Sequence, residues 1–406
     1  MAKTPKIRFK NFSDEWVESR LGELGNILTG STPPTNISEL YDNNGIPWVT
    51  PTDITSNLIS KTCKRLSKKG ELVSRIVPSK TILVTCIASI GKNAMLLTRG
   101  SFNQQINSLT VNDNNDPYFM LTQSSLWSEQ MKKQAAQATM QIVNKTEFSN
   151  IKAYIPNLKE QEKIGAFFSK LDKLIALHQS KFEKLQKIKK SCLQNLFPQN
   201  NQNTPKIRFK NFSDEWVESK LGEISERITR KNSNLETTLP LTISSQYGLV
   251  DQSAYFNNRV ASLNLSKYYL IKNGEFAYNK SYSDGFPYGS IKRLDNYSKG
   301  ALSTLYIIFA IKNAIINSNY LQYFYNTKIW HNDVAMVAAE GARNHGLLNI
   351  TAQDFFTTNV KFPSNLEEQE KIGAFFSKLD KLITLHQSKF KKLQKIKKSC
   401  LQNMCV

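Results

Sequence analysis

"NLKEQEKIGAFFSKLDKLIALHQSKFEKLQKIKKSCLQNL" occupies residues 157–196 and returns at 365–404 as "NLEEQEKIGAFFSKLDKLITLHQSKFKKLQKIKKSCLQNM". Of 40 aligned positions 36 are identical, with differences at 159/367, 176/384, 183/391 and 196/404. In the first copy Ile164, Phe168, Leu171, Ile175, His178, Phe182, Leu185, Lys189, Cys192 and Leu196 step by four and three alternately. That spacing is a heptad seam. The second copy repeats it with Ile372, Phe376, Leu379, Ile383, His386, Phe390, Leu393, Lys397, Cys400 and Met404. Asn157 with Glu160, and Asn365 with Glu368, have the spacing of a capping box. Pro198 stops the first helix. Its 33 residues from Ile164 to Leu196 span about 50 Å at ~1.5 Å per residue. A single stripe of this kind ordinarily packs on a globular core. Two near-identical stripes in one chain predict pairing with each other, antiparallel if a pseudo-twofold relates the halves. His178 and His386 then fall near the helix midpoints and read as ordinary seam residues at least as readily as a special pair.

A second duplication points the same way. Residues 4–23 recur at 204–223, with Arg20 replaced by Lys220 as the one difference. The intervening stretches, about 24–155 and 224–362, share almost nothing visible. The chain is therefore constant, variable, constant, twice over, and a period this long is a duplicated half rather than a solenoid. The predicted organisation is a first globular domain at 1–156, a helix at 157–198, and a polar linker at 199–203. A second globular domain follows at 204–364 and a second helix at 365–406. The predicted fold class is α+β.

The variable stretches read as mixed structure. Strands are expected in 45–54, 81–91 and 108–113, and a helix over 117–137. In the second stretch strands are expected in 239–250, 274–282 and 303–311, and one helix over 317–340. Polar clusters lie at the expected strand ends: Asn103, Gln104, Gln105 and Asn107 in one, Asn279, Lys280, Ser281 and Tyr282, then Arg343, Asn344 and His345, in the other. Amide and guanidinium groups are the types that read base edges through paired hydrogen bonds. Thr52, Thr85 and Lys92, in the loops "TPTDI" and "TCIASIGK", join them as candidate DNA contacts. Any one of these residues alone is more often a turn former or a solvated side chain than a base contact.

Lys and Arg number 54 against 33 Asp and Glu, a net charge of +21. Charge of this size favours a polyanionic partner, nucleic acid or acidic membrane. The most apolar run, 82–90, has strand length, well short of the ~18–20 residues of a membrane span. The five cysteines lack CxxC spacing and read as cytosolic thiols, and the four histidines form no ligand cluster. A cytoplasmic location is expected. Phosphate-loop, GxGxxG and aminomethyltransferase signatures do not occur, which predicts a binder with two different reading heads and no metal or catalytic residue of its own.

Together "KIRFKNFSDEWVESRLGEL", "GSTPPT", "IPWVTPTDI", "NQQINSLTV" and "EQEKIGAFFSKLDKLI" in the first half resemble the specificity subunit of type I restriction–modification systems. So do "FAYNKSYSDGFPYGSI", "GALSTLYIIF", "ITAQDFF" and "EEQEKIGAFFSKLDKLI" in the second. The resemblance covers essentially the whole chain. It implies two target recognition domains, each reading half of a split, asymmetric site in double-stranded DNA, separated by an antiparallel coiled coil. It also implies two modification subunits that bind S-adenosylmethionine and methylate adenine N6, and restriction subunits that use ATP to translocate and cut. No cofactor is then expected in this chain, and no membrane. The alternative reading is a stand-alone DNA-binding regulator with tandem heads.

Overall fold

The computed structural model describes residues 4–137, 141–199, 202–244, 247–257, 261–262, 264–281, 285–338 and 347–405. The fold is α+β, with two long helices, Leu158–Asn195 and Leu366–Met404. The chain forms two compact units, Met1–Ser180 with Gln387–Val406, and Lys181–His386. The division falls inside each long helix, so each unit holds a piece of both.

In the first unit the seam residues Ile164, Phe168 and Leu171 are buried with Met404, and Ile175, Leu393, Cys400 and Leu401 pack at their margin. Lys397 pairs with Asp172 at 2.6 Å, so the start of one helix lies against the end of the other. The second unit repeats this: Ile372, Phe376 and Leu379 share a core with Leu196, and Lys189 meets Asp380 at 2.5 Å. Pairing within each unit is antiparallel. His178 and Phe390 are half-buried in the first unit, Phe182 and His386 in the second.

The first unit's variable region is a five-stranded sheet in the order Gly25–Thr29, Ile106–Val111, Ile82–Thr85, Asn93–Leu96 and Leu58–Ile59. A four-stranded sheet adjoins it in the order Lys64–Leu66, Tyr41–Val49, Gly100–Phe102 and Ile76–Val77. The helix Pro117–Gln137 packs Phe119, Trp127 and Met131 beneath the larger sheet. In the second unit Ser225–Ile228, Ile307–Ile311, Phe276–Asn279 and Ser290–Arg293 form a sheet in that order, which reproduces the first four positions of the five-stranded sheet.

Two local readings change. The expected helix over 317–340 is two short helices, Ser318–Phe324 and His331–Val337. The intervening turn is closed by Thr327 Oγ1 on the carbonyl of Phe324 and by the Trp330 indole on that of Tyr325. The capping box at 157–160 is half formed. Asn157 Oδ1 accepts from the Glu160 N–H at 3.0 Å, but the Glu160 carboxylate turns to Arg8. A fully buried carboxylate needs a charged partner more than a helix end needs a second cap.

Candidate nucleic-acid interface

The duplicated ends hold each other. Arg8 donates to both oxygens of the buried Glu160, at 2.6 and 2.7 Å, and Arg208 does the same to Glu368 at 2.7 and 2.8 Å. The Ile7 N–H meets the carbonyl of Asn403, and that of Ile207 meets Asn195, both at 2.9 Å. Each opening segment thus ties the start of one long helix to the end of the other within its own unit. Val17–Arg20 pairs with Lys152–Ile155, and Trp216–Lys220 with Asn359–Pro363, closing each variable region back on its own entrance.

Each variable region docks on this frame through one helix start. Gln161, buried, accepts from the Asp116 N–H at 3.0 Å and donates to Asn115 and the Pro156 carbonyl. Gln369 accepts from the Asn317 N–H at 2.7 Å and donates to the carbonyls of Ile315 and Pro363. A Cβ on Gly165 would stand 2.1 Å from Asp116 Oδ1, and one on Gly373 2.7 Å from Asn319 Cβ, so the frame needs glycine for this approach. Trp16 meets Phe119 edge-on at 5.6 Å, and Trp216 meets Tyr320 at 5.8 Å.

In the first unit the loops after several strands converge at one end of the two sheets. Gly30 bonds Ile106, Ser31 bonds Phe102, Asn103 bonds Val49 and Cys86 bonds Gln105, all backbone to backbone. Lys92 Nζ reaches the Pro51 carbonyl at 3.3 Å. Thr52, Lys92 and Gln104 are therefore brought to one face and are exposed there, with Gln105 half-buried beside them. Thr32, bonded to the Gln104 side chain, and Arg75, bonded to the Thr29 carbonyl and Ser31, belong to the same face and were not singled out from sequence. The one carboxylate among these loops, Asp53, is a brace. Burial opposes its charge, but hydrogen bonds from the Thr50 hydroxyl and the N–H groups of Cys63 and Thr50 outweigh that and hold its pKa below the usual range.

Thr85 and Asn107 are corrected from base contacts to supports. Both are at most 1% exposed. Thr85 donates to the Ser89 carbonyl and accepts from the Lys92 N–H, shaping the loop that carries Lys92. Asn107 accepts from Thr29 at 2.7 Å and donates to the Val143 carbonyl. Their side chains point into the fold, where a polar group must be hydrogen-bonded.

In the second unit Asn279 ends the Phe276–Asn279 strand and Lys280 follows it, and both are half-buried. Asn279 caps the Ser281 N–H at 3.0 Å, and Lys280 Nζ is bound to the Ile350 carbonyl at 3.0 Å. Tyr282, Arg343, Asn344 and His345 lie outside the described residues. No helix among the described residues is long and apolar enough to cross a membrane.

Sequence reasoning missed the pairs Arg8–Glu160 and Arg208–Glu368, the glutamines 161 and 369, and the aspartates 172 and 380. A signal was present: each is a polar residue repeated unchanged in one of the two duplicated blocks.

Residues 13–189 match the family model of the type I restriction modification DNA specificity domain. A stretch of 190 residues is 28% identical to the MjaIX specificity subunit of Methanocaldococcus jannaschii, covering 45% of this chain and 44% of that one. The chain thus spans less than half the length of that relative. The MjaVIII specificity subunit of the same organism is 22% identical over 96% of this chain and 91% of its own. Among solved structures, the type I restriction–modification S subunit from M. genitalium has the same fold, with a TM-score of 0.65 at 15% identity over 99% of each chain. The duplicated frame, the two sheets of one order and these matches point the same way: the chain is similar to type I restriction–modification specificity subunits, and its residues 13–189 match their DNA specificity domain.

Proposed function

We propose that this chain is the DNA-reading subunit of a type I restriction–modification complex. Its two target recognition domains, 1–156 and 204–364, each read one half of an asymmetric, bipartite site in double-stranded DNA. The helices at 157–198 and 365–406, joined through the linker 199–203, set the spacing between the halves. Methyl transfer to adenine N6 belongs to two modification subunits carrying S-adenosylmethionine, and ATP-driven translocation and cleavage to restriction subunits. The observation that carries this reading is one duplicated frame holding two heads of different sequence and the same sheet order. Duplication supplies two equivalent places for a partner, and divergence supplies two different half-sites.

Within the first head the reading surface is Thr52, Lys92, Gln104 and Gln105, joined by Thr32 and Arg75. Arg75 and Lys92 supply phosphate attraction and Gln104 and Gln105 the paired donors and acceptors that suit base edges. Sequencing of methylated adenines in a strain expressing the chain with its modification subunit should return one split, asymmetric motif. The purified chain should transfer no methyl group from S-adenosylmethionine by itself. Methyl transfer by the chain alone, or a motif confined to one contiguous half, contradicts the proposal.

A further inference from the structure

The second unit contains a cleft of about 530 Å³ beside the Lys189–Asp380 pair, with Lys292, Asn326, Lys328 and His331 in its wall. Its carboxylates are already engaged. Asp380 accepts from Lys189 at 2.5 Å and from the Tyr323 hydroxyl at 3.0 Å. Asp295 accepts from Arg293 and from Gln322, both at 2.7 Å. Lys292 is half-buried, donates one hydrogen bond, 2.8 Å to the neutral amide of Asn326, and makes no ion pair among the described residues. Lys328, exposed at the same wall, makes none there either.

The first unit has the same pair, Asp172 with Lys397, beside a smaller cleft. There the counterpart strand supplies Asn93, whose amide donates to the Ser124 carbonyl and the Ser128 hydroxyl. The excess positive charge is therefore particular to the second unit and is not needed to dock a head on the frame.

We infer that this cleft is a phosphate-binding site, with Lys292 as the half-buried cation and Lys328 as the second. A partly desolvated ammonium whose neighbouring carboxylates are already engaged gains from an entering anion. Burial foremost, and then the charge of Lys189, push Lys292 down to about 8, against the pull of Asp380. Two cations from different elements suit an anion with several oxygens better than a two-oxygen carboxylate. The cleft has the size of an ordinary small-ligand site.

A phosphate can come from a free small molecule or from the backbone of bound DNA. The first source is independent of the function proposed above, and the second rests on it. The full chain would be labelled with acetic anhydride and Lys292 acetylation followed by peptide mass mapping. The probes are inorganic phosphate, adenosine 5′-monophosphate and a duplex carrying the methylation site. If a free probe fills the cleft, it slows labelling of Lys292. K292Q then binds it about tenfold more weakly, whereas K292R keeps most of the affinity. If duplex alone protects Lys292, and K292Q lowers the salt slope of DNA binding by about one, the phosphate is the DNA backbone's. Unchanged labelling with all three probes, or equal binding by K292Q and the parent chain, overturns the inference.

Discussion

Tyr118 and Tyr323 do the same thing from different places. Each hydroxyl bonds an aspartate of a long helix at 3.0 Å, Asp172 in the first unit and Asp380 in the second, and each aspartate also holds a lysine of the other long helix. The docking helices can be aligned by the backbone N–H given to the glutamine, Asp116 against Asn317, and by the ring against the tryptophan, Phe119 against Tyr320. On that alignment Tyr118 lies one residue before the ring and Tyr323 three after it, about one helical turn apart. The frame fixes backbone approach and leaves side-chain solutions free. This is how two regions with no visible similarity keep one sheet order and one mode of docking.

The sharpest way to break the equivalence is to remove the second half. The first unit includes Gln387–Val406, which packs on Ile164, Phe168 and Leu171. A fragment of residues 1–203 lacks that segment but carries its near-copy at its own end. It should dimerise antiparallel through two copies of the helix, and with the modification subunit it should methylate an inverted repeat of the first half-site. Sedimentation and methylation mapping check this. A monomer, or retention of the asymmetric site, breaks the account of the frame.

Phe197 marks a difference between the units. It is fully buried among Trp216, Tyr320 and Phe376, and its counterpart after the second helix is the half-buried Cys405. Phe197→Ala should cost about 3–5 kcal/mol in denaturant unfolding, and Cys405→Ala less than about 1 kcal/mol. Arg8→Ala and Arg208→Ala should each cost about 3 kcal/mol, because each strands a buried glutamate. Unequal losses there would show that the two latches are not equivalent. Smallest are Tyr118→Phe and Tyr323→Phe, at about 1 kcal/mol each. Loss at one site alone would mean that only one unit uses the tyrosine.

The long helices and the duplication were legible because periodicity and repetition are properties of the sequence itself. The seam lysines 189 and 397 were visible as seam members, but not as partners of aspartates 380 and 172, which lie 191 and 225 residues away in the chain. The loop face was half legible. Gln104 and Lys92 are exposed, whereas Asn107, two positions on in a strand from Gln105, is sealed against Thr29. Polarity marks both kinds of residue alike, and only the pleat and the neighbouring strands decide which amide faces solvent. The break at 325–330 escaped for a similar reason: its stop is made by side chains of Thr327 and Trp330 turning back on the main chain.

The claim that the two heads are independent readers on a common frame has one direct test. Residues 24–155 would be replaced by the corresponding stretch of a type I specificity subunit, keeping Arg8, Trp16, Glu160 and Gln161 in place. Methylated adenines would then be mapped in cells that also express the modification subunit. The account predicts that one half of the motif changes and the other half stays as it was. A motif altered in both halves, or in neither, contradicts it.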